Sequence, residues 1–191
     1  GQTCIAPDYV LIPHGNVDEF VAKANSAVMR MFGANPDNKD YTSIVSDKHY
    51  ARLESLVQDA AAHGGKIVQT AKPDDPAWKS KRKFPPTFVS GATADMKVMQ
   101  EEIFGPVLVI IPFEDEAEAI SIANDTPYGL AAFVQSGNAQ RASRVAAQLR
   151  AGAVHINGAG MNYGTPFGGY KQSGNGREKG RWGFLEFLEV K

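Results

Sequence analysis

Apolar side chains recur at steps of three and four from Val17 through Phe20, Val21, Ala24, Val28, Met31 and Phe32. That spacing places them on one stripe of an α-helix facing a core. Asn16 stands three residues before Glu19, the spacing of a capping box, and Gly33 follows the last apolar position, so both ends are marked. A second helix is predicted over 47–63, capped by Ser46, with Tyr50, Leu53, Val57 and Ala60 on one face and Gly64 and Gly65 as its stop. The β-favouring runs are 9–12, closed by Pro13, and 66–69. The longest apolar run, 107–113, is far short of the roughly 20 residues a membrane-spanning helix needs and reads as a buried strand. After it the pattern alternates: helix 115–124, strand 130–135, helix 138–150 and strand 153–157. Ala142, Val145, Ala146 and Leu149 share one face of the later helix, and Gly152 ends it. Strands alternating with helices of this length imply an α/β fold with parallel strands joined by right-handed crossovers.

Two stretches break the alternation. Residues 70–86 hold four prolines, Asp74, Asp75 and the basic run Lys79, Lys81, Arg82 and Lys83, and read as a long surface excursion. No domain boundary is evident there, so 1–191 is expected to be one domain. Residues 158–183 are rich in glycine but carry Pro166, Phe167 and Tyr170. The chain then closes on Phe184, Leu185, Phe187, Leu188 and Val190, expected to dock as a terminal segment. No internal repeat is visible.

Composition narrows the function class. The chain has 191 residues, 43% of them hydrophobic and 21% charged, the balance of a soluble domain able to bury a core without metals or disulfides. Twenty basic against 21 acidic residues leave a net charge of -1, which argues against a nucleic-acid partner, since phosphate neutralisation needs a clustered basic excess. Cys4 has no cysteine to pair with, and His14, His49, His63 and His155 have no zinc-like spacing. A reducing, cytoplasmic setting is expected. No membrane span is expected, and the opening residues are not a secretory signal.

Three runs could carry chemistry. A free cysteine is most often a small buried hydrophobe, but Gly1, Gln2 and Thr3 before Cys4 and Ala6, Pro7 and Asp8 after it would leave its sulfur accessible. Glu101 and Glu102 precede Ile103, Phe104 and a Gly105-Pro106 turn. A carboxylate there suits a ribose diol and the phenyl ring an aromatic face; a charged helix end with a staple phenylalanine is the alternative. The third run, 164–178, looks like a phosphate cradle, yet Gly169 is followed by Tyr170 where a P-loop needs Lys and then Ser or Thr. Its later glycines also miss the dinucleotide fingerprint. The wall of a pocket is the better account.

In this order and separation, the runs resemble the aldehyde dehydrogenase superfamily. The motifs are Gly1-Gln2-Thr3-Cys4, then Glu101-Glu102-Ile103-Phe104-Gly105-Pro106-Val107, then Asn124-Asp125-Thr126-Pro127-Tyr128-Gly129-Leu130. Pro166-Phe167-Gly168-Gly169-Tyr170-Lys171 and Ser173-Gly174-Asn175-Gly176-Arg177-Glu178 complete the series. Thr3-Cys4-Ile5-Ala6-Pro7-Asp8-Tyr9 and Asp40-Tyr41-Thr42-Ser43-Ile44 look most like the fatty and coniferyl aldehyde dehydrogenase branch. The resemblance implies an open, mainly parallel sheet with helices on both faces. It also implies NAD or NADP as cofactor and an aldehyde as substrate, oxidised to a carboxylic acid.

By that resemblance Cys4 is the nucleophile, Glu102 and Phe104 contact the nicotinamide-side ribose, and Phe167 walls the aldehyde tunnel. Glu178, with Asn157, falls in the proton-relay region; Phe167 could instead be plain packing, and Glu178 could simply pair with Arg177. A thiol with a pKa of about 8.5 is only a few per cent ionised at pH 7, so Cys4 needs activation. Family members take an oxyanion-hole Asn and a water-activating Glu from before the nucleophile. The chain is therefore expected to be a C-terminal, nucleophile-bearing part whose partner is a missing N-terminal coenzyme domain. It is expected to be inactive alone and a homo-oligomer when whole. A CoA-acylating or phosphorylating member and a non-catalytic assembly module are the alternatives.

Overall fold

Val107–Phe113, the uninterrupted apolar run, forms β4, the strand on which the N-terminal part of the molecule is built. The structure is a computed structural model that describes every residue except Pro73, Asp74, Met161 and Val190. It divides into two compact units, Gly1–Glu114 and Asp115–Lys191.

In the first unit β4 lies between β1 (Tyr9–Pro13) and β3 (Thr87–Ser90), parallel to both, and β2 (Lys66–Gln69) adds antiparallel to β3. Val109 lies opposite both Tyr9 and Val89, and Ile110 opposite Val10 and Ser90. Because successive strand residues point to opposite faces, this register sorts the side chains into two cores. Val89, Val107 and Val109 cluster with Leu53, Leu56 and Ala60 of α2 (Asp47–Ala62) and Val98 of α4 (Lys97–Gln100). Phe88 and Ile110 cluster with Val21 of α1 (Val17–Met31), joined by Phe20, Val28, Val10 and Val68. Helices thus cover both faces of a mainly parallel sheet.

The predicted ends of α1 and α2 hold to within two residues, with one change of mechanism. Ser46 caps α2 by accepting from the His49 N–H at 3.3 Å. Asn16 makes no such bond, because its backbone is not in the extended conformation a cap needs; the Glu19 side chain instead hydrogen-bonds to Asn16 and to Lys23.

Of the expected surface excursion over 70–86, Lys72, Pro76, Ala77 and residues 79–82 are exposed, but Trp78 and residues 83–86 are buried; Pro73 and Asp74 lie outside the described residues. Asp75 caps a short helix, α3 (Pro76–Ser80), through the Ala77 N–H. Trp78 and Phe84 are buried in edge contacts with Tyr41 and Tyr50, respectively. Lys83 is buried as well, with its ammonium on the Asn38 carbonyl. The burial continues without a break into β3, a strand the hydrophobic pattern does not announce.

The second unit holds α5 (Glu116–Asn124), β5 (Ala131–Val134), α6 (Ala139–Ala146), β6 (Ala153–Ile156) and α7 (Gly180–Leu185). β5 and β6 pair in parallel as a sheet of their own, so the three strands expected in succession belong to two sheets. α6 stops before residue 150 because the Asn124 side chain binds the following turn, donating to the Gln148 carbonyl and accepting from the Arg150 N–H. The terminal segment is not docked as expected: Phe184, Leu185, Phe187 and Leu188 are exposed, and Val190 lies outside the described residues. Among the described residues no helix is long and apolar enough to cross a membrane.

Candidate active site

Cys4 sits on a tight turn. The Thr3 carbonyl accepts from the Ala6 N–H at 3.0 Å, which leaves Cys4 and Ile5 at the corner and the thiol exposed. The segment leading into this turn is fastened at two points. A side chain at Gly1 would overlap the Gly105 carbonyl, so the chain crosses the 102–106 loop backbone to backbone. The Gln2 amide donates to the Ser43 carbonyl at 3.0 Å and accepts from the Val45 N–H at 2.9 Å, in the manner of a short strand pairing. After the turn, the Asp8 carboxylate accepts from the Ile103 N–H at 3.0 Å and also from that of Phe104.

The same loop presents Glu102 and Phe104. Phe104 has a φ of 55°, a left-handed conformation that costs a non-glycine residue on the order of 1–3 kcal/mol. Arg52 of α2 fixes it from the other side, donating to the Glu102 carbonyl at 2.6 Å, the Ile103 carbonyl at 2.8 Å and the Glu101 carboxylate at 3.1 Å. With Ile103 fully buried beneath, its neighbours Glu102 and Phe104 are turned outward. Burial pushes the Glu102 carboxyl up, Asp8 pushes it the same way, and Arg52 opposes them. Burial likewise raises Asp8 against the pull of the two N–H groups and Arg52. Among the described residues the Glu102 carboxylate takes no side-chain hydrogen bond, so its oxygens can accept from a diol beside an exposed phenyl ring. That fits the ribose and nicotinamide side of a dinucleotide.

In the second unit Phe167 and Glu178 face each other across an isolated antiparallel bridge, exchanging backbone hydrogen bonds of 2.7 Å in both directions. With Leu130, Gly169, Arg177 and Glu186 they line a cavity of about 350 Å³. The Lys179 ammonium lies 5.2 Å from the centre of the Phe167 ring. The Arg177 guanidinium donates to the carbonyls of Gly169, Asn175 and Gly176, each at 2.9 Å. Asn157 does not line this cavity. At a φ of 50° just after β6, its amide accepts from the Ser136 N–H at 2.8 Å and returns a bond to the Ser136 carbonyl at 3.0 Å. Each end of that amide keeps one further hydrogen-bonding capacity.

The sequence-identified residues therefore fall into two groups, Cys4 with Glu102 and Phe104 in the first unit and Phe167 with Glu178 in the second, while Asn157 stands apart on Ser136. Asp8 and Arg52 escaped sequence reasoning. Asp8 lies within the run that marks the branch resemblance, but its acceptor role depends on N–H groups 95 residues away. Arg52 reads in sequence as a solvated position on a helix.

A family model described as "Aldehyde dehydrogenase family" matches residues 1–191. The chain belongs to the aldehyde dehydrogenase family. A "3-succinoylsemialdehyde-pyridine dehydrogenase" of Pseudomonas sp. is 43% identical over 100% of this chain and 40% of its own length. A "Probable coniferyl aldehyde dehydrogenase" of Caulobacter vibrioides is 39% identical over the same shares. Among solved structures, aldehyde dehydrogenase C of Pseudomonas syringae, a cysteine-to-alanine mutant in complex with NAD+ and octanal, aligns at a TM-score of 0.90 and 35% identity. That alignment covers 100% of this chain and 40% of the other. Betaine aldehyde dehydrogenase of Staphylococcus aureus in complex with NAD+ aligns at 0.88 and 37% identity, over 100% and 39%. The aldehyde dehydrogenase chain described here thus spans about 40% of the length of the curated relatives it matches.

Proposed function

We propose that residues 1–191 are the nucleophile-bearing domain of an NAD(P)-dependent aldehyde dehydrogenase and that Cys4 attacks the aldehyde carbon. The observation that carries this reading is an exposed thiol at the corner of a turn tied, through Gly1 and Asp8, to the loop that presents Glu102 and Phe104. The thiolate forms a sulfur–carbon bond while the carbonyl π pair moves to oxygen, giving a thiohemiacetal. The Cys4 backbone N–H serves as one donor to that oxyanion. A bound nicotinamide coenzyme supplies the acceptor for the hydride whose departure leaves a thioester on Cys4. Glu102 and Phe104 hold the ribose and ring end of that coenzyme. Water then adds to the thioester, the carbon–sulfur bond breaks with its electron pair on sulfur, and the acid is released. Phe167 contributes an apolar wall on the aldehyde side, and Glu178 and Asn157 belong to the path by which the proton leaves.

Following the family pattern, the water-activating Glu and the oxyanion-hole Asn are supplied outside this chain. A cytoplasmic homo-oligomer is part of the proposal, supported by the single exposed thiol and by the exposed apolar side chains of Trp182, Phe184 and Phe187. The test is Cys4→Ser in the full-length protein, expected to lower NADH formation from an aldehyde by at least about 10³-fold; an undiminished rate overturns the assignment. The 191-residue chain alone is expected to form no NADH. Single-turnover trapping with water, CoA or phosphate as acceptor identifies the species that cleaves the thioester.

A further inference from the structure

We infer that Asp8 and Arg52 are positioning residues that clamp the 102–104 loop from two sides and tie it to the Cys4 turn, so that the coenzyme-side loop and the nucleophile are set by one charged device. This rests on the functional reading above and adds two residues to it.

The clamp is visible as a division of backbone groups. The peptide units around Ile103 offer two N–H groups and two carbonyls that are left out of the sheet, since β4 begins only at Val107. Asp8 takes both N–H groups, those of Ile103 and Phe104. Arg52 takes both carbonyls, those of Glu102 and Ile103, with its two terminal nitrogens. A carboxylate is suited to the first task because it only accepts, and a guanidinium to the second because it only donates, in a planar fork. With all four groups held, Phe104 keeps its left-handed backbone although glycine would be the easier residue there.

The two clamp residues come from different elements. Arg52 is on α2, whose Leu53 packs against Gly105, so its backbone is rigidly placed. Asp8 is four residues past Cys4 and immediately precedes β1, whose pairing begins with the Asp8 carbonyl accepting from the Val109 N–H at 2.9 Å. A shift of the 102–104 loop therefore pulls on the segment that carries the nucleophile, and the reverse.

The test uses the full-length protein with Asp8→Ala and Arg52→Ala, and with Asp8→Asn and Arg52→Lys as variants that keep the size of the side chain. Amide hydrogen exchange in a peptide containing Ile103 and Phe104 should quicken at least about tenfold in the alanine variants, with peptides from α2 and β4 unchanged. The Kd for NAD, measured by fluorescence titration, and the coenzyme KM should rise about tenfold while kcat stays within about threefold. Asp8→Asn, which keeps an acceptor oxygen, should recover most of the loss, and Arg52→Lys, which lacks the fork, should not. Unchanged exchange at Ile103 and Phe104, loosening spread evenly over α2 and β4, or a fall in kcat at constant coenzyme affinity would each overturn the clamp. Exchange and binding do not depend on turnover, so a full-length Cys4→Ser protein that kept its NADH formation would sink the catalytic reading separately.

Discussion

The two units are held together by different physics. Residues 1–114 bury large side chains: Ile44, Leu53, Leu56, Met96, Ile103 and Ile110 are essentially inaccessible to solvent. Among the described residues of 115–191 the buried positions are small, namely Gly129, Ala142, Gly169 and Gly183. Backbone lies against backbone there: a side chain at Gly152 would overlap the Gly168 carbonyl. The first unit gains from area removed from water, a forgiving term that tolerates hydrophobic exchange. The second depends on close approach, which a single methyl group prevents. The division suits the two groups of candidate residues, because the proposed nucleophile turn gains from a stiff sheet beneath it whereas a pocket wall is shaped by the path of its own main chain.

Leu53→Ala tests the first half of this contrast and should have the largest effect. Removing a fully buried leucine side chain should lower unfolding free energy by about 2–5 kcal/mol. Amide exchange should rise through α2 and β4 and stay unchanged in β5 and β6; exchange rising equally in both units would erase the distinction. Gly152→Ala tests the other half. It should cost about 1–3 kcal/mol, with loss of protection confined to 115–191, and a silent substitution would show that close approach is not what holds that unit.

Acid titration gives a smaller and more discriminating effect, because Asp8 in the first unit and Glu116 in the second shift in opposite directions. Burial raises Asp8, so the native state keeps a proton that the unfolded chain releases. Its ionisation lowers stability as pH climbs from the unfolded value, about 3.9, through the raised native one. The stability of Asp8→Asn minus that of wild type should therefore grow with pH over that window and then level off. Glu116 is held below the usual carboxylate range chiefly by its hydrogen bonds with Arg144. Its contribution is present above the unfolded value and lost as pH falls, so the same difference for Glu116→Gln should decline as pH rises. Denaturant unfolding between pH 3 and 7 reads both slopes, and equal signs would refute the assignment.

Legibility in the sequence follows the range of the interactions. α1, α2, β2 and β4 could be read closely because each is bounded by a local signal, such as Ser46 before α2 or Gly33 after α1. The early end of α6 could not, since Asn124 captures the chain from outside the helix. Lys83, Phe84, Pro85 and Pro86 read as a loop from composition, and only their place beside β3 and the aromatic cluster explains their burial. Cys4, Glu102, Phe104 and Phe167 could be named as candidates from motif letters, because the chemistry proposed for them depends on residue type.

What the sequence alone determined is therefore the family and those elements, such as α1, α2 and β4, whose signals lie a few residues away, together with the candidate reactive letters. Only the tertiary structure decided which strands pair, that Phe167 bridges Glu178, and that Asp8 and Arg52 meet at the Phe104 loop. A hydrogen-bonding group carries no record in the sequence of which distant partner will satisfy it. That choice is made when helices and sheet pack and leave particular N–H and carbonyl groups to be matched.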